Sequence, residues 1–157
     1  MTDWLPALML MADYGGWDKY LEALYAGFRE DFMETLPPFQ ERRLGLKRHP
    51  IENGKEATFW HMISEGRTEA DRVPDLRRCE RIRWPRQLIE ETGRKDPRVR
   101  WWPNVRNRER RVVIALTDFT YAVVLADRGD YLLPWTAYVV HGWQREQFRK
   151  EWERSKH

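Results

Sequence analysis

The chain has a single cysteine, Cys79, in 157 residues, which excludes an internal disulfide. That cysteine and four scattered histidines lack ligand spacing, so no zinc site is expected. Long apolar runs are missing as well. No stretch approaches the ~20 residues that cross a bilayer, and the short apolar run from Ala7 to Ala12 follows Asp3 rather than a basic residue. No secretory leader and no membrane partner are therefore expected, and the cytoplasm is the expected compartment. A phosphate-cradling glycine loop, a dinucleotide fingerprint, an HExxH and a CxxC are all absent, so no metal and no cofactor is expected. Internal repeats and low-complexity segments are absent too.

The composition suits one folded domain spanning 1–157. Hydrophobic residues make up 41%, and the nine tryptophans exclude the aromatic-poor composition of a disordered chain. Net charge is only +3, but it is unevenly spread. Residues 1–41 hold two basic and eight acidic groups, residues 42–111 hold twenty basic and eleven acidic, and the remainder holds six of each. The balances of −6, +9 and 0 divide the domain into an acidic helical cover, 1–41, and a basic α+β body, 42–157. Of the 28 basic residues 22 are arginine, whose planar fork of donors suits phosphate better than the point charge of lysine.

Hydrophobic periodicity predicts a helix from Trp17 to Thr35, with Tyr20, Leu21, Leu24, Phe28 and Phe32 on one face. A shorter helix is expected over 4–13. Leu44 and Leu46 alternate with polar residues and predict a short strand from Arg43 to Arg48. A helix from Glu56 to Glu65 follows the Asn53-Gly54 turn, with Gly66 as a left-handed C-cap. Its apolar face is Phe59, Met62 and Ile63, which places His61 on the opposite, polar side. Val73-Pro74-Asp75 predicts another helix start, with Pro74 at the first helical position, running to about Arg83. Pro85 interrupts it before a further turn or two over Arg86 to Glu91.

From Val99 onward the pattern is strand. Runs at Val99 to Trp102, Arg111 to Leu116, Tyr121 to Ala126 and Tyr131 to Val140 carry β-branched and aromatic residues. Short links join the last three, which predicts an antiparallel meander. Pro134 predicts an edge position or a bulge. A polar helix from Gln144 to Glu153 closes the chain. The class is α+β, with N-terminal helices packed on a C-terminal antiparallel sheet meander.

Three features carry chemistry. The first is arginine clustering. Arg77, Arg78, Arg81, Arg83 and Arg86 face one acid, Glu80, and residues 94–111 carry eight basic groups against Asp96 and Glu109. Trp84, Trp101 and Trp102 are interleaved with them, and Lys47 and Arg48 add to the same basic body. Cations neutralise phosphates and aromatic rings stack on unpaired bases, so these residues are candidate nucleic-acid contacts. The alternative is a solvated charged face over core tryptophans. The second feature is His61, a candidate general acid or base because imidazole titrates near neutral pH; the alternative is an exposed histidine paired with Glu65. The third is the pair Thr136 and Tyr138. Two positions apart on one strand, their hydroxyls share a face and suit a phosphate oxygen, or they reflect β-propensity alone.

The order of elements, ending in the strand Tyr131 to Tyr138 with its Thr136-Ala137-Tyr138 motif, resembles phage- and toxin-associated ribonuclease domains of the barnase–EndoU–colicin–RelE superfamily. The stretches Leu46 to Pro50, Gly54 to Gly66 and Pro74 to Arg86 are also similar to a widespread bacterial protein family, a likeness that implies no activity. The ribonuclease resemblance implies metal-independent cleavage of RNA by transesterification at the 2′-OH. His61 would be the acid or base, Arg78 or Arg81 the charge stabiliser, and Thr136 and Tyr138 the phosphate-positioning hydroxyls. A second proton-transfer residue has no candidate. Two further readings use the same basic face: a non-catalytic RNA-binding or regulatory module, and a protein-interaction domain facing an acidic partner or antitoxin. An enzyme needs His61 to line the basic cleft, with Arg78 and Thr136 within roughly 10 Å of it; a binder leaves His61 in open solvent.

Overall fold

A computed structural model describes residues 2–66, 68 and 70–156 of the chain. The first long helix forms over Trp17–Phe32 (α1), and its expected apolar stripe is the face it buries. The segment before it does not form the second helix expected there. Only a 3₁₀ turn, Met11–Asp13, is present. Pro6 lacks a backbone donor, and the neighbouring chain is spent on tertiary bonds. Trp84 Nε1 donates to the Pro6 carbonyl at 2.8 Å, Met9 N–H to the Glu80 carbonyl at 3.0 Å, and the Tyr20 hydroxyl to the Met9 carbonyl at 2.6 Å.

The stretch from Arg43 to Arg48 is extended but joins a sheet at one point alone, a parallel bridge from Leu44 to Leu132. The carbonyls of Lys47 and Arg48 then accept from the N–H groups of Thr58 and Ala57, which open the next helix, Ala57–Ile63 (α2). Those donors have no intrahelical partner, and no side chain caps them, so the preceding strand-like segment does.

α2 is shorter than the expected Glu56–Glu65. It gives way to a two-residue strand, Ser64–Glu65 (β1), paired with Val73–Pro74 (β2). Gly66 is therefore not a helix cap. It sits where the chain folds back, and a Cβ there would meet the Asp71 carbonyl oxygen at 2.8 Å and Arg72 backbone at 2.9 Å. The following helix starts two residues later than expected. Asp75 is its N-cap, accepting from Arg77 N–H, and the helix covers Leu76–Glu80 (α3), with Pro74 left in β2. A turn then leads to Trp84–Glu91 (α4), where Pro85 lies in the first turn and starts the helix rather than interrupting it.

The C-terminal half is the expected meander. Strands Val99–Arg106 (β3), Glu109–Leu116 (β4), Tyr121–Asp127 (β5) and Leu132–Val139 (β6) pair antiparallel in that order. Gly142–Ser155 (α5) closes the chain. The meander is covered on both faces. Val112, Ile114, Leu116, Tyr121, Val123, Leu125 and Ala137 share a core with α1, α2, α3 and α4. Trp102, Val113, Ala115 and Ala122 form a second core with Phe148 of α5. Two-sided burial explains why β4 and β5 read as nearly continuous apolar runs instead of alternating ones. Both expectations for Pro134 hold. β6 is an edge strand, and its pairing slips there: Leu125 faces Pro134 and Val124 faces Thr136, leaving Trp135 as the extra residue of a bulge.

The acidic N-terminal segment is bonded to the basic body. Lys55 Nζ meets Glu22 at 2.6 Å, and Arg83 forks onto Asp31 at 2.9 and 3.1 Å while also reaching Glu30. Arg86 donates to the Asp31 carbonyl and to Thr35. Gly27 makes this possible. A Cβ at Gly27 would lie 2.7 Å from Arg83 Cδ, so the bare helix face is the slot along which Arg83 runs. Helix propensity alone would favour Gly27→Ala by about 1 kcal/mol. The expected result is the opposite, a loss on the order of 1–3 kcal/mol from overpacking. Denaturant melts of the single and double variants should show this loss relieved when Arg83→Ala is combined with Gly27→Ala.

Candidate functional site

The bulge in β6 gathers side chains from four parts of the chain. Arg78 reaches it from α3, donating from Nη1 to Thr136 Oγ1 at 2.9 Å and to the Ser64 carbonyl at 2.7 Å. Its guanidinium carbon lies 5.3 Å from the centre of the Tyr138 ring. Asp75 Oδ2, 3.4 Å from Arg78 Nε, holds it from behind. Lys47 Nζ and the Arg128 guanidinium sit 5.7 and 5.6 Å from the Trp135 ring. The His61 ring packs edge-on against the same indole, centroids 4.7 Å apart.

Of the residues expected to act together, Arg78, Thr136 and Tyr138 do converge. His61 does not stand on an open polar side of its helix; it is 1% exposed. α2 is two turns long and wedged between the core and β6, so Thr58 and His61 are buried along with Phe59, Met62 and Ile63. A seven-residue helix packed on several sides has no free face for periodicity to reveal. Arg81 is engaged elsewhere: its guanidinium lies 5.2 Å from the Trp84 ring and donates to the Arg77 carbonyl.

The proposed nucleic-acid contacts also separate. Arg83 and Arg86 bind the N-terminal segment as described. Arg77 is exposed and paired with Glu80 at 3.2 Å. Trp102 is 1% exposed and donates its indole N–H to Glu151. Trp84 packs on Tyr121, and Trp101 packs on Phe39. Trp102 is thus spent on the core, whereas Trp84 and Trp101 pack at its rim and stay half-buried. Lys47 stays beside the bulge, and Arg48 is exposed.

A cationic surface does form, at the end of the sheet holding the β3–β4 and β5–β6 turns. Asn107 and Arg108 have φ of 51° and 68°, the backbone of a tight two-residue hairpin turn. That turn carries Arg106, Arg108 and Arg110 into solvent. Arg128 lies on the neighbouring turn, and Arg43 stacks on Tyr131 at 5.2 Å beyond it. Arg42 clamps this corner, bonding Asp127 at 2.7 Å and the Gly129 carbonyl at 2.9 Å. With Arg111, this end has seven arginines against Glu41, Glu109, Asp127 and Asp130, a surplus of three positive charges. The half-buried rings among these cations are Tyr131 and Trp135.

Arg111 and Gln144 are the contributors that periodicity did not single out. Arg111 shares the face of Val113 and Ala115 by strand alternation. Its Nε donates to Asn104 Oδ1 at 3.0 Å, and burial lowers the pKa of its guanidinium. Gln144, from the first turn of α5, donates to the Tyr138 hydroxyl at 3.1 Å. Burial raises the pKa of Tyr138, while Arg111, Gln144, Arg106 and Arg78 pull it down. Gln144 lay in a helix read only as polar; which of its residues faces the sheet depends on docking around Phe148.

Among the described residues no group of three His, Cys, Asp or Glu is arranged to hold a metal ion, and no helix is long and apolar enough to cross a membrane. No family model matches the chain, and no curated protein or solved structure is significantly similar to it.

The Arg42 clamp has a pH signature. Its hydrogen bonds to Asp127, with help from Gly129 N–H, lower the carboxyl from 3.8 to about 2. A depressed acid contributes stability that is complete above its unfolded pKa and lost as pH falls through the folded one. Asp127→Asn should therefore lower the melting temperature at neutral pH, and its gap from wild type should close between about pH 4 and pH 2. Thermal melts across that range check the clamp.

Proposed function

We propose that this protein is a non-catalytic RNA-binding module of the cytoplasm, gripping phosphates with the arginine-rich end of its sheet. The observation that carries the reading is the segregation of its cations. Arg83, Arg86 and Lys55 face the acidic N-terminal segment, whereas Arg106, Arg108 and Arg110 project on a hairpin tip in solvent. The sheet spans this end from β3 to the Leu44 bridge, roughly 20 Å at the usual strand spacing. Arg128, Arg43 and Lys47 continue the line past Trp135 and Tyr131. Cations along a strip with partly exposed aromatic rings suit an unpaired strand, whose phosphates bind the guanidiniums and whose bases stack.

His61 matches neither expectation, since it is not in the open solvent where a binder would leave it, but its burial counts against cleavage. A general acid or base must reach the proton it moves, and His61 is buried against Trp135. Arg78 and Thr136 are therefore read as phosphate-holding groups, without an adjacent acid–base pair. An acidic protein is the competing partner for the same surface.

Binding of a labelled single-stranded RNA should weaken steeply with salt, because each phosphate contact releases a counterion. Reversing Arg106, Arg108 and Arg110 to Glu should weaken binding and flatten the log–log salt slope by about 0.7 per lost contact. Reversing the exposed Arg145, Arg149 and Arg154 on α5 should change it little. Absence of RNA binding even at low salt would refute the reading and leave the acidic protein partner. Prolonged incubation with RNA in EDTA should leave the strand intact. Products ending in 2′,3′-cyclic phosphate, lost in His61→Ala, would instead establish the ribonuclease.

A further inference from the structure

Both hydroxyls beside the bulge already accept a hydrogen bond from the protein. Arg78 donates to Thr136 Oγ1, and Gln144 donates to the Tyr138 oxygen. A hydroxyl held this way presents its own proton to whatever comes next. Among the described residues no hydrogen bond takes either proton. Both side chains are half-buried, so the protons are neither sealed in the core nor fully in water. The next partner must accept hydrogen bonds, and the surrounding guanidiniums make an anionic acceptor the favoured one.

Arg111 adds the charge. Its Nε is taken by Asn104 Oδ1, and no carboxylate lies in ion-pair contact with it among the described residues. By strand alternation it lies on the sheet face where Tyr138 packs against the core of Val113 and Ala115. We propose that Thr136, Tyr138, Arg111 and Arg78 form a pocket for a terminal phosphate, a phosphomonoester dianion. Two hydroxyl donors and the Arg111 guanidinium match the oxygens and charge of such a group, while Arg78, which Asp75 and Glu65 approach at 3.4 and 3.9 Å, orients the Thr136 hydroxyl. Access favours an end over an internal phosphodiester. α5 walls the pocket through Gln144 on Tyr138 and Glu151 on Trp102 and Asn104. A strand passing through needs two open sides, and a chain end needs one. The Glu151 carboxylate would also repel a second phosphate lying further along that wall.

The source of the phosphate is either the end of an RNA strand or a small phosphomonoester, and only the first rests on the RNA-binding reading. The test compares three single-stranded RNAs of one sequence, ending in a 5′-phosphate, in a 3′-phosphate or in hydroxyls alone, together with inorganic phosphate. One phosphorylated end should bind at least about tenfold more tightly than the hydroxyl form, the worth of one or two charge-assisted hydrogen bonds. Tyr138→Phe, Thr136→Val and Arg111→Gln should each shrink that ratio, with circular dichroism confirming an unchanged fold. Reversal of the hairpin-tip arginines should weaken every RNA and leave the ratio intact. Inorganic phosphate should shift the Arg111 Nε–H resonance in wild type and less in Tyr138→Phe. Equal binding of the three RNAs with no shift from phosphate overturns the pocket, even when salt-dependent RNA binding persists. A phosphate-induced shift without RNA binding keeps the pocket, assigns it to a small phosphomonoester, and removes the RNA reading instead.

Discussion

The guanidinium of Arg83 lies along Gly27 of α1 and meets the buried carboxylate of Asp31 at 2.9 Å. This contact ties the acidic first quarter of the chain to the basic body. A buried carboxylate deprived of its partner is costly, on the order of several kcal/mol, so α1 and α4 dock as a pair. Arg86 extends the joint to the Asp31 carbonyl in the last turn of α1 and to Thr35. The joint also decides which arginines remain for other partners. Those of α4 are spent inward, and those of the β3–β4 turn, which no acidic segment reaches, are left outward.

The edge of β6 is the second constraint. Pro134 cannot donate to a ladder, and the bulge beside it changes which residues point where. Trp135 leaves the regular alternation and meets His61, Lys47 and Arg128. Thr136 meets Arg78. The outer side of the edge is closed in part by the Leu44 bridge and in part by α2 and α3, so the strand that bears the hydroxyls is covered without being paired along its length. Covering by side chains rather than by another strand leaves room for polar groups at the surface, and that is where the half-buried donors collect.

The sheet's two covers have unlike character. The face toward the N-terminal helices holds the larger apolar core. The other face is apolar near Trp102 and Phe148 and polar toward Arg111 and Tyr138. α5 has a single fully buried side chain, Phe148, so it covers part of that face and leaves the rest to arginine, asparagine and glutamine side chains. A cover too narrow for the face it sits on leaves polar side chains bonded to one another at its margin.

Sequence by itself determined the α+β class, the stripe of α1, the antiparallel succession of the last three strands and the irregularity at Pro134, because each rests on a local period, a short link or one residue's backbone chemistry. It also placed Thr136 and Tyr138 on one face, which needs only strand alternation, and identified Arg78 among its neighbours as a site candidate. Tertiary structure alone decided the state of His61, since burial of a two-turn helix depends on what packs against its far side. It likewise sorted the arginines. Composition counts charges but cannot tell Arg83, which runs along a glycine to an aspartate 52 positions away, from Arg108, which ends a turn in water. Pairing across such a distance is a property of the packed layers, and no local pattern encodes it.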